Sequence, residues 1–218
     1  MDADAVEIRV LGCLIEKQRT TPDAYPLSLN ALRLACNQST NRDPVVQYDE
    51  ATIRDALQRL YRRGWTRLAS GQGSRAAKYR HLLDDALRLA PDELALLAVL
   101  MLRGPQTPGE LKQRSERLHP FPDLAAVHAT LEGLIARELV ARLPRRPGQK
   151  EERYAQLLGG DHAAAAEPAA AAPAAGGAGA APAAAAGHEE RLARLEREVA
   201  ELRAELAALR DALDRVRR

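Results

Sequence analysis

Aromatic residues are scarce in this chain: one Trp, one Phe and five Tyr make up 3% of its 218 residues. A core here cannot rest on large rings and must be assembled from Leu, Ala, Val and Ile, with Trp65 as the one large exception. Cysteine is nearly absent as well. Cys13 and Cys36 are too few for a disulfide framework, lack metal-ligand spacing and fall on apolar helix faces, so they read as buried thiols acting as small hydrophobes. No segment reaches the roughly 18 to 20 apolar residues that a membrane span needs. The N-terminus, MDADAVEIRV, carries no basic leader region, and a cytoplasmic protein is expected. The five His (81, 119, 128, 162 and 188) are scattered, and GxSxG, a glycine loop ending in GK[ST] and HExxH are all missing. Neither an enzyme nor a metal or cofactor site is expected.

What the chain does contain is one order of elements run twice between Glu7 and Leu158: an apolar helix, a short capped helix, a third amphipathic helix, then a basic hairpin closed by a Tyr. An offset of 74 lays Ile53, Leu57, Leu60 and Trp65 on Val127, Leu131, Leu134 and Leu139; an offset of 75 lays Lys78, Tyr79 and Leu82 on Arg153, Tyr154 and Leu157. An offset of 86 lays Glu7, Leu11, Leu14 and Ile15 on Glu93, Leu97, Leu100 and Met101. Apolar positions match while surface ones differ, as two copies of one fold with different tasks would leave. The expected fold class is mainly α with small β-hairpin wings (α+β): tandem winged-helix domains at 1–88 and 89–158.

Local signals support these elements. Val6, Val10, Leu11, Leu14 and Ile15 recur at helical spacing over residues 5 to 18. Pro22 and Pro26 predict an extended loop; Ser28 is a plausible N-cap for a helix to Cys36, and Asp49 for one ending at Arg63, with Gly64 in the left-handed position that closes it. In the second copy Pro91 opens a helix to Arg103, Thr107, Pro108 and Glu110 form a capping box, and Asp123 starts a helix to about Arg137.

Beyond Leu158 the composition changes. Residues 159–187 are almost wholly Ala, Pro and Gly, expected to be a disordered tether. In residues 188–218, Leu192, Leu195, Val199, Leu202, Leu206, Leu209, Leu213 and Val216 alternate steps of three and four, the a and d positions of a heptad. Arg191 with Glu196, Glu198 with Arg203 and Glu205 with Arg210 are opposite-sign g-to-e′ partners, so a parallel coiled-coil homodimer is expected.

Charge is distributed unevenly. Net charge is only +2, yet Ala51 to His81 holds eight basic residues and one acid, Asp55. With Ile53, Leu57 and Leu60 turned inward, Arg54, Gln58 and Arg62 share the outer face of the third helix, with Arg59 beside them. Arg and Gln carry the forked donors and acceptors that match guanine and adenine edges in the major groove. Arg75, Lys78 and Arg80 of the hairpin could meet flanking phosphates. Asp49 and Glu50 at the helix start weigh against this reading. In the second copy His128, Glu132 and Gly133 occupy the equivalent outer face, so its hairpin (Arg145, Arg146, Lys150) is expected to give phosphate or partner contacts instead. Asn41 and Arg42 in the polar loop NQSTNRDP are candidates of the same kind, against a bland alternative of loop hydrogen bonding. Trp65, at an apolar repeat position, is expected in the core, and GQGS at 71–74 leads into a strand and reads as a hairpin turn. The expected partner is double-stranded DNA, bound by a transcriptional regulator or architectural factor; the alternative is an adaptor whose winged helices dock partner proteins.

Four blocks also carry a family resemblance: LGCLIEKQRTTPDAYPLSLNALRLACNQSTNRDPV (Leu11 to Val45), GSRAAKYRH (Gly73 to His81), LRGPQTPGEL (Leu102 to Leu111) and PRRPGQKEERYAQLL (Pro144 to Leu158). Together they resemble the signature blocks of the YceH family of bacterial proteins. The resemblance, which covers about residues 5 to 158, implies paired winged-helix domains and carries almost nothing about function. Thr40 stands where Ser is usual, and Trp65 where a smaller aliphatic is typical.

Overall fold

A computed structural model describes residues 3–69, 77–145 and 151–159. Arg75, Arg146, Lys150, the segment beyond Gly159 and its heptad positions lie outside the described residues.

Helix α1 (Ala5–Thr20) opens with a capping box: the Asp4 carboxylate accepts from the Glu7 N–H at 2.8 Å, and the Glu7 carboxylate accepts from the Asp4 N–H at 2.9 Å. Instead of a plain extended loop, two residues after the Tyr25-Pro26 bond form strand β1 (Leu27–Ser28). Ser28 then caps α2 (Leu29–Cys36), its hydroxyl accepting from the Ala31 N–H at 3.3 Å. Asp49 caps α3 (Glu50–Arg62) through the Thr52 N–H at 2.8 Å, and Gly64 at φ 73° turns the chain out of the helix. Strands β2 (Thr66–Leu68) and β3 (Lys78–His81) pair antiparallel, with β1 on the far edge of β3, giving the order β1-β3-β2.

A short helix α4 (Leu83–Leu87) leads to the second copy: α5 (Pro91–Arg103), α6 (Pro108–Ser115), α7 (Leu124–Ala136), and the antiparallel pair β4 (Val140–Leu143) and β5 (Arg153–Gln156). An isolated bridge from Gln106 to Tyr154 occupies the place that β1 holds in the first copy. The described residues are therefore a mixed α+β fold with seven α-helices and two small antiparallel sheets.

The two copies share one continuous apolar core. Its centre is the crossing of α1 and α5, the most extensive contact between elements. Every residue from Leu94 to Leu102 is buried, as expected of a helix apolar on all sides. The crossing is close because Gly12 has no side chain: a Cβ there would lie 2.9 Å from Leu102 Cγ and 3.1 Å from Met101 Cβ. Backbone bonds tie the copies at two further points, Ala3 N–H to Leu158 C=O at 3.0 Å and Asp43 N–H to Leu102 C=O at 2.8 Å. Among the described residues no helix is long and apolar enough to cross a membrane.

Candidate nucleic-acid interface

Helix α3 buries Ile53, Ala56, Leu57 and Leu60 and so must present its opposite face outward. Arg54, Gln58 and Arg62 are all exposed on it, where the spacing put them. Arg59 is drawn to the other flank: its guanidinium reaches Asp4 at 2.5 Å and Glu7 at 3.7 Å. That flank continues with Arg63, 3.4 Å from the buried Glu7 and over the ring of Trp65 at 5.7 Å. Arg59 therefore latches α3 to the start of α1, and the outward basic set of the helix reduces to Arg54 and Arg62.

The hairpin adds to that set by its register. Arg67 of β2 stands directly opposite Arg80 of β3. Because side chains alternate along a strand, Lys78 falls on the same face as that pair. Like charges directly opposed across a sheet are destabilising unless an anion lies between them. Among the described residues, Arg54, Arg62, Arg67, Lys78 and Arg80 have no ion-pair partner. The second copy differs. There Arg142 pairs with Glu132 and, at 3.5 Å, with Glu152; Arg145 is 4.0 Å from Glu152; and Arg153 is 3.5 Å from Glu110. Among the described residues its hairpin arginines, Arg142, Arg145 and Arg153, each face a carboxylate, and Arg142 also lies 5.8 Å over the Tyr154 ring.

The polar loop before α3 corrects one expectation outright. The Arg42 side chain is fully buried, not turned toward a phosphate or a partner. Its Nη2 donates to Glu16 Oε2 at 2.6 Å and to Gln38 Oε1 at 2.7 Å, its Nη1 to Glu16 Oε1 at 3.2 Å, and its Nε to the Ala35 carbonyl at 3.0 Å. Burial would raise the Glu16 pKa, but hydrogen bonding to Arg42 outweighs it and holds the carboxyl below its ordinary value. Asn41, in the left-handed region at φ 60°, accepts from Arg103 and so spans the two copies. Asn37 closes the loop, donating to the Tyr48 carbonyl at 2.8 Å and accepting from its N–H at 2.9 Å. The amide density of this loop is internal wiring.

Two features had no clear signal in the sequence. Tyr61 and Leu68 are 63% and 50% exposed, and with Tyr79 they line a cavity of about 360 Å³ between α3 and the hairpin, beside Arg54 and Gln58. Only the hairpin's fold-back brings them together. His81, one of the scattered histidines, is 2% exposed. Its Nε2 lies 2.6 Å from Gln18 Oε1, while Nδ1 faces the Leu83 N–H at 3.4 Å and Asp84 at 3.5 Å. This pattern assigns the neutral ring with its proton on Nε2, and burial pulls its pKa down to about 4. The His81 N–H donates to the Tyr25 hydroxyl at 2.9 Å, and burial pushes that phenol up to about 12. Cys13 and Cys36 are both fully buried, and Trp65 is in the core. Among the described residues no group of three or more His, Cys, Asp or Glu could hold a metal ion.

These features define a class: an α+β protein of two packed copies with a basic helix-and-hairpin face on the first, where Arg54, Arg62, Arg67, Lys78 and Arg80 form no ion pair among the described residues. The family described as "Protein of unknown function, DUF480" matches residues 3–149. A UPF0502 protein of Geotalea daltonii is 59% identical over 162 residues, covering 73% of this chain and 74% of its own length. UPF0502 proteins of Pelobacter propionicus and of Azoarcus are each 51% identical, covering 95% and 99% of this chain and 93% of their own lengths. The chain belongs to this DUF480/UPF0502 family.

Proposed function

We propose that the chain is a tandem winged-helix protein of the cytoplasm whose first copy grips double-stranded DNA, as a transcriptional regulator or architectural factor, and that it works as a homodimer joined by its C-terminal heptads. The element order α1-β1-α2-α3-β2-β3 with the sheet order β1-β3-β2 supports the winged-helix reading, and the Gln106–Tyr154 bridge gives the second copy a counterpart of β1. Within the family, the four sequence blocks are the ground for reading the chain as YceH-like. The observation that carries the DNA reading is the Arg67–Arg80 pair, stacked like on like on the hairpin face that also holds Lys78, with Arg54 and Arg62 on α3; Asp55 is the one carboxylate lining the α3–hairpin cavity, and among the described residues it forms no ion pair with any of them. A polyanion relieves that repulsion and releases its counterions in doing so.

In this reading Arg54, Gln58 and Arg62 enter the major groove, and Arg75, Lys78 and Arg80 hold phosphates. Changing those three hairpin residues to Glu should remove most affinity for arbitrary duplex and lower the slope of log affinity against log salt by about 1 per lost contact. The same change at Arg145, Arg146 and Lys150 should cost less, because Arg145 already faces Glu152. Equal losses would overturn the asymmetry. Base reading is tested by selection from randomised duplexes: Arg54→Ala or Arg62→Ala should relax one position of the selected motif, worth roughly 1 to 3 kcal/mol of discrimination. If the wild type selects no motif, this helix does not read bases.

A second reading, docking of a partner protein, has its own support in the exposed Tyr61 and Leu68 beside the α3–hairpin cavity. Salt separates the two. A partner seated on Tyr61 and Leu68 would bind with little dependence on ionic strength and would be lost in Tyr61→Ala, whereas duplex binding falls steeply with salt.

A further inference from the structure

A cavity of about 450 Å³ opens where the two copies meet. The first copy contributes Ile8, Arg9, Pro44 and Tyr48, the second Leu100 and Met101. Its walls are largely apolar, and one buried charge stands among them. Arg9 is 3% exposed, nearly as inaccessible as the Leu residues around it. One arm of the guanidinium is satisfied, Nη2 donating to the Pro44 carbonyl at 2.6 Å. The other is not: Nη1 is buried and has no hydrogen-bond partner among the described residues. Nor does a carboxylate balance the charge. Asp4 and Asp43 stand at the cavity edge, but Asp4 is bonded to Arg59 at 2.5 Å and to the Glu7 N–H, and no ion pair joins Asp43 to Arg9. Arg42 nearby adds repulsion, and burial draws the Arg9 pKa down from its ordinary value. A buried cation left half-bonded is costly, and proteins retain one where something else completes it.

We propose that this cavity is a binding site for a small amphiphilic acid: a carboxylate that meets the Arg9 guanidinium, whose enclosed Nη1 turns to the cavity surface to take it, carried on an apolar body of about six to ten carbons lying along Ile8, Leu100 and Met101. The volume suits a molecule of that size. A guanidinium donor meeting a carboxylate out of water forms the strong, charge-assisted class of hydrogen bond, which sets the acid apart from its neutral analogues. Both copies line the site, so the bound acid braces their junction. The site binds its acid whether or not the chain binds DNA.

The experiment titrates the full-length protein, without DNA, with octanoate and with octanamide, which has the same body and no charge. Calorimetry should find one octanoate per chain, bound at least about tenfold more tightly than the amide. The chain has two Met residues, Met1 and Met101. In a spectrum of methyl-labelled Met, the Met101 signal should therefore move with octanoate. Arg9→Met should bind acid and amide alike. If that variant fails to fold, the acid-against-amide comparison on the wild type still decides. No binding at millimolar octanoate, equal binding of acid and amide, or saturation that leaves the Met101 signal in place would each overturn the site.

Discussion

His81 shows how much a single buried side chain can set. Its folded pKa, about 4, lies below the ordinary 6.5 because burial disfavours the charged ring. Between those two values the unfolded chain binds more protons than the folded one, so stability is complete above pH about 6.5 and is lost as pH falls toward 4. The loss should approach about 3 kcal/mol. Urea unfolding across this range should give a steep pH slope for the wild type and a flatter one for His81→Gln; matching slopes would place the acid sensitivity elsewhere. Arg42 sets the loop in a different way. Arg42→Ala leaves Glu16 with only Lys17, at 3.2 Å, to balance it and leaves the Ala35 carbonyl without its donor, so it should cost up to about 3 kcal/mol in the same unfolding assay, while Arg42→Met should cost less because it fills the space. A surface arginine held for phosphate would show no such loss.

At the scale of elements, α1 and α5 owe their close approach to Gly12. Gly12→Ala adds helix propensity of about 1 kcal/mol but forces Leu102 and Met101 to shift, an overpacking penalty of about 1 to 3 kcal/mol. A net loss of up to about 2 kcal/mol is expected, measured as a lower urea midpoint. A gain would mean that α5 yields easily. The helices themselves were legible: Asp49 and Thr107 cap α3 and α6 where expected. Strand β1 was not, since two residues carry no alternation to read and its pairing partner Tyr79 lies some fifty residues onward. Helix α4 was missed too, its five residues being too short for a periodic signal.

For the whole molecule, assembly rests on the last segment. If Leu192 to Val216 pair in parallel, deleting Glu189 to Arg218 should turn a dimer into a monomer or a weaker, concentration-dependent dimer. Light scattering checks this; a full-length chain that stays monomeric at tens of micromolar, roughly the range for a marginal coiled coil, refutes it.

The sequence by itself determined what local spacing can encode: the duplicated order of helices, their caps, the inward Ile53, Leu57 and Leu60 and the outward Arg54, Gln58 and Arg62. Periodicity and capping are properties of neighbours in the chain, and neighbours are what a sequence displays. Tertiary structure alone decided which charged groups are enclosed. Arg42, in a polar loop, and Arg54, on a helix face, were both expected to contact a partner or a nucleic acid, yet one is enclosed by Glu16, Gln38 and the Ala35 carbonyl while the other stays exposed. Arg9, inside an apparently ordinary amphipathic helix, became a buried charge only because α5 and the Pro44 loop closed over it. Each of those outcomes needs at least one distant partner, Glu16 at 26 residues from Arg42 and Pro44 at 35 from Arg9, and no local pattern records such a distance.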